Sequence, residues 1–441
     1  MTTAYALING SMIQGSQDQQ VKPNTTILIN EQGRIEQVGR SDELEVPAHY
    51  QIIDLANRYV MPGLINAHVH LFSDGKPFSV SASESTLKFA YKHILDTPFG
   101  KSLLKKRMKR NALNALHAGV TTMRSVGEFF YTDVALRNEI QAKQFVGPNL
   151  LVSGFFLSVT GGHGAPFLAL EGDSPWEARK NVRLNVRHGV DLIKICVTGG
   201  VTDAKRVGEA GQLQMTVEEV TAICEEAHKI GLRVAAHVES SEGVRVALKG
   251  GVDTIEHGAE MDDEIISLYK NNPRALKGYT ALIPTLQAAY PSIVLDPIIS
   301  KVSPMVRENS RLVYDSMLKS VHQAVENGIT MGVGTDAAMP LVTHYDLWRE
   351  LEHYMKKAGL SASRVIDMVT TTNAKILGVD QVTGTLEVGK NADLIVLTQN
   401  PLEQISALSN VSLVMVNGHL IPQPSVKRVA EVDRILDSLP E

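Results

Sequence analysis

The feature that most constrains the fold is a short junction that occurs three times along the chain. A glycine stands between the end of a helical pattern and a strand that begins with valine in His117-Ala-Gly119-Val, Arg187-His-Gly189-Val and Lys249-Gly-Gly251-Val. Glycine just past a helix end is typical of a C-cap, and repeated strand–helix units favour a parallel sheet. The middle of the chain therefore predicts a (β/α)8 TIM barrel. An open doubly wound sheet is the alternative, but no GxGxxG motif follows the first strand.

Both ends of the chain show short β patterns instead. Residues 26–29 and 34–38 flank a turn at Asn30–Gly33, and residues 411–416 run into Asn417-Gly418. Asn-Gly between apolar runs is a strong hairpin signal. Neither end alone has enough strands for a stable sheet, so we expect both to form one β-sandwich. The sequence predicts a β-sandwich accessory domain over residues 1–61 plus 378–441, and a barrel over residues 62–377.

Composition narrows the class of protein. Hydrophobic residues make up 44% of the 441 residues, enough for a sizeable core, and 43 Lys and Arg stand against 48 Asp and Glu, a net charge of −5. No basic surplus points to nucleic acid or to an anionic membrane. No apolar run is long enough to span a bilayer, and no signal peptide is visible. Two cysteines cannot form a disulfide framework, which fits a reducing cytoplasm.

Residues able to bind a metal stand where the predicted barrel strands end. Active sites of such barrels lie at the C-terminal ends of the strands. The side chains found there are His68, His70, Lys194, His237, His257 and Asp336. His68 and His70 are two residues apart, so on a strand they point to the same face. Imidazoles that converge at one barrel mouth suit a divalent metal such as Zn²⁺.

These residues resemble the amidohydrolase superfamily. The resemblance lies in Met61-Pro-Gly-Leu-Ile65-Asn-Ala-His68-Val-His70 with the later Lys, His and Asp positions, and in Gly384-Thr-Leu-Glu-Val-Gly389-Lys-Asn-Ala-Asp393 near the C-terminus. It extends over essentially the whole chain and points to the binuclear, prolidase-like group, also called Xaa-Pro dipeptidase-like. It implies a metal-dependent hydrolase that acts on a small-molecule amide or dipeptide and often assembles into homo-oligomers.

Lys194 distinguishes the binuclear from the mononuclear members of this superfamily. It lies in the apolar run Asp191-Leu-Ile-Lys194-Ile-Cys, where a free ammonium would be costly. The resemblance implies that CO₂ carboxylates this lysine and that the carbamate bridges two metal ions. A lysine made neutral by burial is a nucleophile, which is consistent with this chemistry. The alternative is that Lys194 points outward or pairs with a carboxylate.

The resemblance also implies the mechanism. His68, His70, carboxylated Lys194 and Asp336 would hold one divalent ion, expected to be Zn²⁺, and Lys194, His237 and His257 the second. A bridging hydroxide would attack the amide of a dipeptide or N-acyl amino acid, with Asp336 as general base and then acid. The alternatives are a mononuclear deaminase or cyclic-amide hydrolase, similar to imidazolonepropionase, and a catalytically silent assembly protein.

Three further side chains are candidates for substrate binding. His163 lies in the glycine-lined run Thr160-Gly-Gly-His163-Gly, which resembles a loop that receives a substrate carboxylate; a structural histidine is the alternative. Arg124 ends a predicted strand and would pair with the same carboxylate, unless it is a buried arginine held by an acid. Glu239 follows His237 by two residues and would contact a substrate amine or cap the helix beginning near Ser241.

Overall fold

The computed structural model describes residues 3–15, 20–77 and 84–439, as α/β structure throughout. The strands are β1 (Tyr5–Ile13), β2 (Val21–Ile29), β3 (Ile35–Arg40), β4 (Gln51–Asp54), β5 (Tyr59–Pro62), β6 (Leu64–Val69), β7 (Val120–Ser125), β8 (Asn149–Val152), β9 (Phe156–Ser158), β10 (Ala169–Glu171), β11 (Leu192–Cys196), β12 (Arg233–Val238), β13 (Thr254–His257), β14 (Ala281–Ile283), β15 (Leu394–Leu397), β16 (Val411–Val416) and β17 (His419–Ile421).

Helices fill most of the chain between the parallel strands. They are α1 (Glu84–Ala90), α2 (Pro98–His117), α3 (Thr132–Gln141), α4 (Pro175–Arg187), α5 (Val217–His228), α6 (Ser241–Gly250), α7 (Asp263–Lys270), α8 (Leu286–Val294), α9 (Pro297–Ser300), α10 (Pro304–Asn327), α11 (Leu347–Ala358), α12 (Ala362–Asp367), α13 (Asn373–Leu377) and α14 (Ala430–Asp437). None of the helices in these described ranges has both the length and the apolar character needed to cross a bilayer.

The two ends of the chain meet in one mixed sheet. Its strand order is β17-β16-β15-β5-β1-β2-β3, and β4 pairs with β1. The two predicted hairpins are confirmed: β2 pairs antiparallel with β3, and β16 with β17 through Val416 and His419. Leu7, Ile27 and Leu394 belong to the apolar cluster of this sheet. The sheet is thus stabilised by side chains from both termini.

The middle of the chain forms parallel sheets, as the repeated junctions predict. One has the order β6-β7-β8 and the other β10-β9-β11-β12-β13-β14, with every pairing parallel. Gly119 and Gly189, at two of the three junctions, have φ values of 91° and 82°, the left-handed region expected after a helix end. Thr216 and Glu219 form the predicted capping box at the start of α5.

Hydrogen bonds join the two parallel sheets in two places. Asp191 N, just before β11, donates to Val152 O of β8 over 2.8 Å, and Ala67 N of β6 donates over 3.0 Å to Val333 O. The segment 329–333 lies between β14 and β6: Leu282 N donates to Thr330 O, Gly332 N donates to Leu282 O, and Leu282 forms a parallel bridge with Met331. The predicted strand at 329–333 is present as this isolated bridge, and the Asn373 side chain also bonds the N–H and the carbonyl of Val333.

Helix α14 packs away from the mixed sheet. Val432 and Leu436 are buried against Leu295, at the end of α8, and Leu341, in the segment before α11. Burying two aliphatic side chains of this size contributes roughly 3–6 kcal/mol of transfer free energy. The C-terminal segment therefore covers the helical layer around the parallel sheets.

Candidate active site

Four histidines and one aspartate meet at the carboxyl ends of the parallel strands. His68 and His70 lie at the end of β6, His237 in β12 and His257 at the end of β13. Asp336 Oδ1 lies 3.3 Å from Nε2 of both His68 and His70. The ring centroids of His257 are 5.1 Å from His68 and 4.8 Å from His237. The structure therefore brings together five of the six predicted metal ligands by direct contact.

The outer nitrogens of the histidines are already bonded to the protein. His68 Nδ1 is 2.7 Å from Glu256 Oε2, and His70 Nδ1 is 2.8 Å from the carbonyl oxygen of Gly127. These two acceptors require the proton on Nδ1, so Nε2 of each ring presents a lone pair to the centre. Burial lowers the pKa of His70, which favours the neutral imidazole that a metal needs.

Lys194 is the sixth ligand position and lies in the middle of β11. It pairs in register with Ala235 of β12, its residue is 2% exposed, and its Nζ has no hydrogen-bond partner. Burial, the largest influence, lowers the pKa of the Lys194 amine. The side chain lines the same cavity as the histidines. The alternative in which Lys194 points outward does not match this geometry.

Backbone conformation at the strand ends is unusual. His257 and Asp336 have φ values of 67° and 58°, in the left-handed region that residues with a side chain rarely adopt. Each such residue costs roughly 1–3 kcal/mol and is found preferentially at functional sites. Gly334 precedes Asp336 by two residues, and a Cβ there would stand 2.5 Å from the Cβ of His68. Only glycine lets this segment approach β6 closely enough to present Asp336.

His163 and Glu239 reach the same cavity. The His163 ring stacks on His237 at a centroid distance of 4.2 Å, and its Nδ1 is bonded to Asp203 Oδ2. Glu239 Oε2 is buried without a hydrogen-bond partner. Burial, followed by the nearby charges of Asp336 and Asp203, raises the pKa of Glu239 to about 8. Ser240, not Glu239, caps α6, because its side chain accepts from Gly243 N.

Arg124 does not reach the cavity. Its residue is 3% exposed, and its guanidinium donates to Thr254 Oγ1 over 2.9 Å and to Glu256 Oε1 over 2.7 Å. A substrate carboxylate would have to displace Glu256 to bind here. Arg124 is therefore a buried arginine held by a neighbouring acid, Glu256, which was the alternative expected from the sequence.

Glu256, the partner of His68 and Arg124, and Asp203, the partner of His163, were not identified from the sequence. Burial alone would raise the pKa of Glu256, but Arg124 and His68 outweigh it and lower that pKa below its ordinary value. Glu256 therefore stays charged and orients His68. A sequence signal for Glu256 did exist. Thr254 and Glu256 alternate with apolar Ile255, so both lie on one face of the strand. Asp203 lies in a loop far from His163 in sequence, and no local pattern pairs them.

A cavity of about 200 Å³ opens above these ligands. Its polar lining includes His163, Asp203 and Glu239. Apolar side chains from α8, from α10 and the turn before it, and from the segment after Asp336 also line it: Ala288, Ala289, Val302, Val306, Val313, Met317, Met339 and Pro340. A mainly apolar lining with a few convergent polar groups is the usual form of a small-molecule site.

Comparison with known proteins agrees with this site. The model of the Amidohydrolase family matches residues 59–421. A solved structure of a proposed prolidase from Bifidobacterium longum is 42% identical, covers 99% of both chains and superposes with a TM-score of 0.88. A Xaa-Pro dipeptidase with methionine bound in its active site is 27% identical, covers 95% of this chain and 100% of its own, and has a TM-score of 0.79.

A relative found by sequence agrees with these structures. Ochratoxinase from Aspergillus niger is 28% identical over 398 residues, which are 83% of this chain and 76% of ochratoxinase. The family implies a TIM barrel with mixed α/β content and divalent metal binding. This chain therefore belongs to the amidohydrolase family, in its prolidase-like group, and is a hydrolase that acts on carbon–nitrogen bonds.

Proposed function

We propose that this protein hydrolyses the amide bond of a dipeptide or an N-acyl amino acid with two divalent metal ions, of which Zn²⁺ is the expected kind. The proposed ligands are His68, His70, Lys194, His237, His257 and Asp336. The observation that carries the proposal is the meeting of Nε2 of His68, Nε2 of His70 and Oδ1 of Asp336 in one buried place, with Nδ1 of both rings already bonded to the protein. A divalent cation between these three atoms would bind all of them at once. The names of the dipeptidase and ochratoxinase support an amide substrate.

Carboxylation of Lys194 fits its surroundings. The buried Nζ has no partner, and burial favours its neutral form. A neutral amine can attack CO₂, forming an N–C bond and releasing one proton to give a carbamate. The anion would then give both metal ions an oxygen ligand, and the two cations would offset the cost of burying it.

Residues of the chain then have distinct parts in the reaction. When bound, the metal ions would supply an activated water and polarise the scissile carbonyl. Asp336 would take the proton from the attacking water and pass it to the leaving nitrogen, acting as general base and then general acid. His163, paired with Asp203, would hold the substrate carboxylate. The apolar lining from α8 and α10 would exclude bulk water and receive the substrate side chain.

The finer architecture is part of the same proposal. We propose that the two parallel sheets form one closed (β/α)8 barrel, supported by the bonds from Asp191 to Val152 and from Ala67 to Val333. The mixed sheet would be the face of a β-sandwich accessory domain, with boundaries at 1–61 plus 378–441 and a barrel at 62–377. Helix α14, inside the first of these ranges, packs on Leu295 and Leu341 of the second. Residues 1–2, 16–19, 78–83 and 440–441 lie outside the described ranges. Homo-oligomer assembly and a cytoplasmic location stay predictions.

Metal analysis of the purified protein, combined with a panel of dipeptides and N-acyl amino acids assayed with added Zn²⁺ or Mn²⁺, tests the proposal. We expect close to two metal ions per chain, and loss of turnover after chelation that metal restores. Full activity without stoichiometric metal would overturn the mechanism. Failure to cleave any member of the panel by a metal-loaded protein would overturn the substrate class alone.

Lys194→Ala separates this proposal from a mononuclear deaminase or cyclic-amide hydrolase. A binuclear centre needs the carbamate, so the variant should lose activity and one metal ion. A mononuclear centre does not need the lysine, and near-normal turnover by Lys194→Ala would favour that alternative.

A further inference from the structure

The ligand atoms of the site fall into two groups of three. His68, His257 and Asp336 form the first, and His237, Glu239 and His257 form the second. Within each group every residue offers one ligand atom, and these three atoms lie within 4.8 Å of one another. Both groups share His257 and contain one carboxylate. Glu239 therefore has the same position in the second group that Asp336 has in the first.

The protein itself leaves the Glu239 carboxylate unsatisfied on its inner side. Oε2 is buried and has no hydrogen-bond partner. The other side chains of its group are imidazoles, and the charged neighbours that act on it most strongly are the acids Asp336 and Asp203. A buried carboxylate among lone pairs and other carboxylates is costly unless a cation joins them.

The backbone fixes Glu239 in this place. Its N–H donates to Thr198 Oγ1 over 3.0 Å. Its carbonyl packs so closely on Gly211 that a Cβ on that glycine would lie 2.5 Å from the oxygen, and Gly211 has a φ of 83°. Ser240 takes the helix-capping role next to it. The glutamate side chain is therefore held towards the histidines. Its carboxylate has a hydrogen bond with the backbone of Val201, which leaves Oε2 as the atom without a partner.

We infer that Glu239 is a direct ligand of the second metal ion, together with His237 and His257. The inference rests on the proposed function, because it presupposes a binuclear centre. It also reduces the excess positive charge: Asp336 and carboxylated Lys194 supply two negative charges against the four positive charges of two divalent ions, and Glu239 adds a third, which leaves one. The role in binding a substrate amine then becomes the competing outcome of the test.

Metal titration of Glu239→Gln tests the inference without relying on activity. The isosteric amide keeps the side-chain volume and removes the charge. Outer-sphere partners of metal ligands already change metal affinity about 10–100-fold, so we expect the second ion to bind at least about tenfold more weakly. Co²⁺ titration followed by absorbance, with elemental analysis after dialysis against a chelator, reads each ion separately. The first ion, at His68, His70 and Asp336, should keep its affinity and shows that the variant is folded.

Glu260→Gln is the matched control, since it makes the same carboxylate-to-amide change at an exposed glutamate paired with Lys319, outside the cavity lining and both ligand groups. It should bind both ions as the parent does. Glu239→His, which offers another ligand atom, should recover part of the second-site affinity, which a purely structural or substrate-binding role would not predict.

The outcomes are distinguishable. If Glu239→Gln binds both ions with parental affinity, the inference fails while the proposed function stands. If the parent protein binds one ion and Glu239→Gln does not change its affinity, the inference also fails. If the parent binds no divalent metal, the proposed function fails and the inference with it.

Discussion

Polar side chains are buried at both ends of the parallel strands. Those at the amino ends are hydrogen-bonded within the protein, whereas several at the carboxyl ends are not. At the amino ends, Asp393 Oδ1 accepts from Asn417 N over 2.6 Å, and Asp393 Oδ2 accepts from Asn149 Nδ2 over 3.2 Å. Asn417 Nδ2 in turn donates to Asn149 Oδ1 over 2.8 Å. These groups connect the mixed sheet to the parallel strands through the protein's own donors and acceptors.

At the carboxyl ends, Lys194 Nζ, Glu239 Oε2 and Asp336 Oδ1 are buried without a hydrogen bond. Cavity volume alone would favour the wrong end as the functional site. The cavity beside Asn149 and Asp393 is about 460 Å³, and the one above the histidines is about 200 Å³. Buried polar groups that the fold satisfies stabilise it, whereas those left unsatisfied indicate a site for something from outside. The comparison predicts that changes at the carboxyl ends impair activity and that changes at the amino ends impair stability.

Asp336→Asn should have the largest effect on activity. An amide cannot accept the proton, and loss of general acid–base catalysis reduces rates roughly 10²–10⁴-fold. We expect kcat to fall by this factor while the melting temperature of the metal-free protein does not fall. Steady-state kinetics and thermal unfolding measure the two effects.

Asn149→Ala is the control from the opposite end of the strands. It leaves the partners at Asp393 and Asn417 unsatisfied, which costs about 1–3 kcal/mol of unfolding free energy, and kcat should stay within about twofold. The contrast between the two ends breaks down if Asp336→Asn keeps its kcat, or if it destabilises the protein as much as Asn149→Ala does.

Arg124→Met probes the layer directly beneath the metal ligands. The substitution leaves Glu256 buried and uncompensated, and breaking such a pair typically costs about 3–5 kcal/mol. Urea unfolding should show this loss, and Arg124→Met combined with Glu256→Gln should recover part of it. A single variant as stable as the parent would contradict the ion-pair role, and unchanged stability with a raised KM would restore Arg124 as a substrate ligand.

The sequence predicted repeated geometry better than it predicted individual contacts. The junction glycines and the Asn-Gly hairpin depend on local backbone preference, and the His68-x-His70 spacing depends on strand alternation, so all three could be read directly. Arg124 was ambiguous because its partner Glu256 lies on a strand 132 positions away. The predicted strand at 329–333 is only an isolated bridge, and the bonds that a distant side chain, Asn373, makes with its backbone could not be predicted locally. Contacts that join separated segments leave no local pattern.

His163→Asn should change substrate binding more than turnover. A hydrogen bond to a charged group contributes about 1.5–3 kcal/mol, so KM for a dipeptide with a free carboxylate should rise roughly 10–100-fold. The same dipeptide with an amidated C-terminus should bind the parent and the variant alike. An equal change for both substrates would show that His163 supports His237 by stacking and does not hold the carboxylate.

Asp393→Asn should produce the smallest effect on activity, and its distinguishing sign is the pH dependence of stability. Burial raises the pKa of Asp393 from 3.8 to about 6 in the folded protein. Between pH 4 and 6 the folded state thus binds more protons than the unfolded state, so unfolding free energy falls as pH rises through this window, by roughly 1 kcal/mol per pH unit for one such group. Asparagine cannot ionise and lacks this dependence. Urea unfolding at pH 4, 5, 6 and 7 gives the unfolding free energy of the parent and of the variant. Subtracting one from the other removes the contribution of the other acids. This difference should decline towards pH 6 and then stay constant. A constant difference would mean that Asp393 is ionised throughout, and that the hydrogen bonds from Asn417 and Asn149 outweigh its burial.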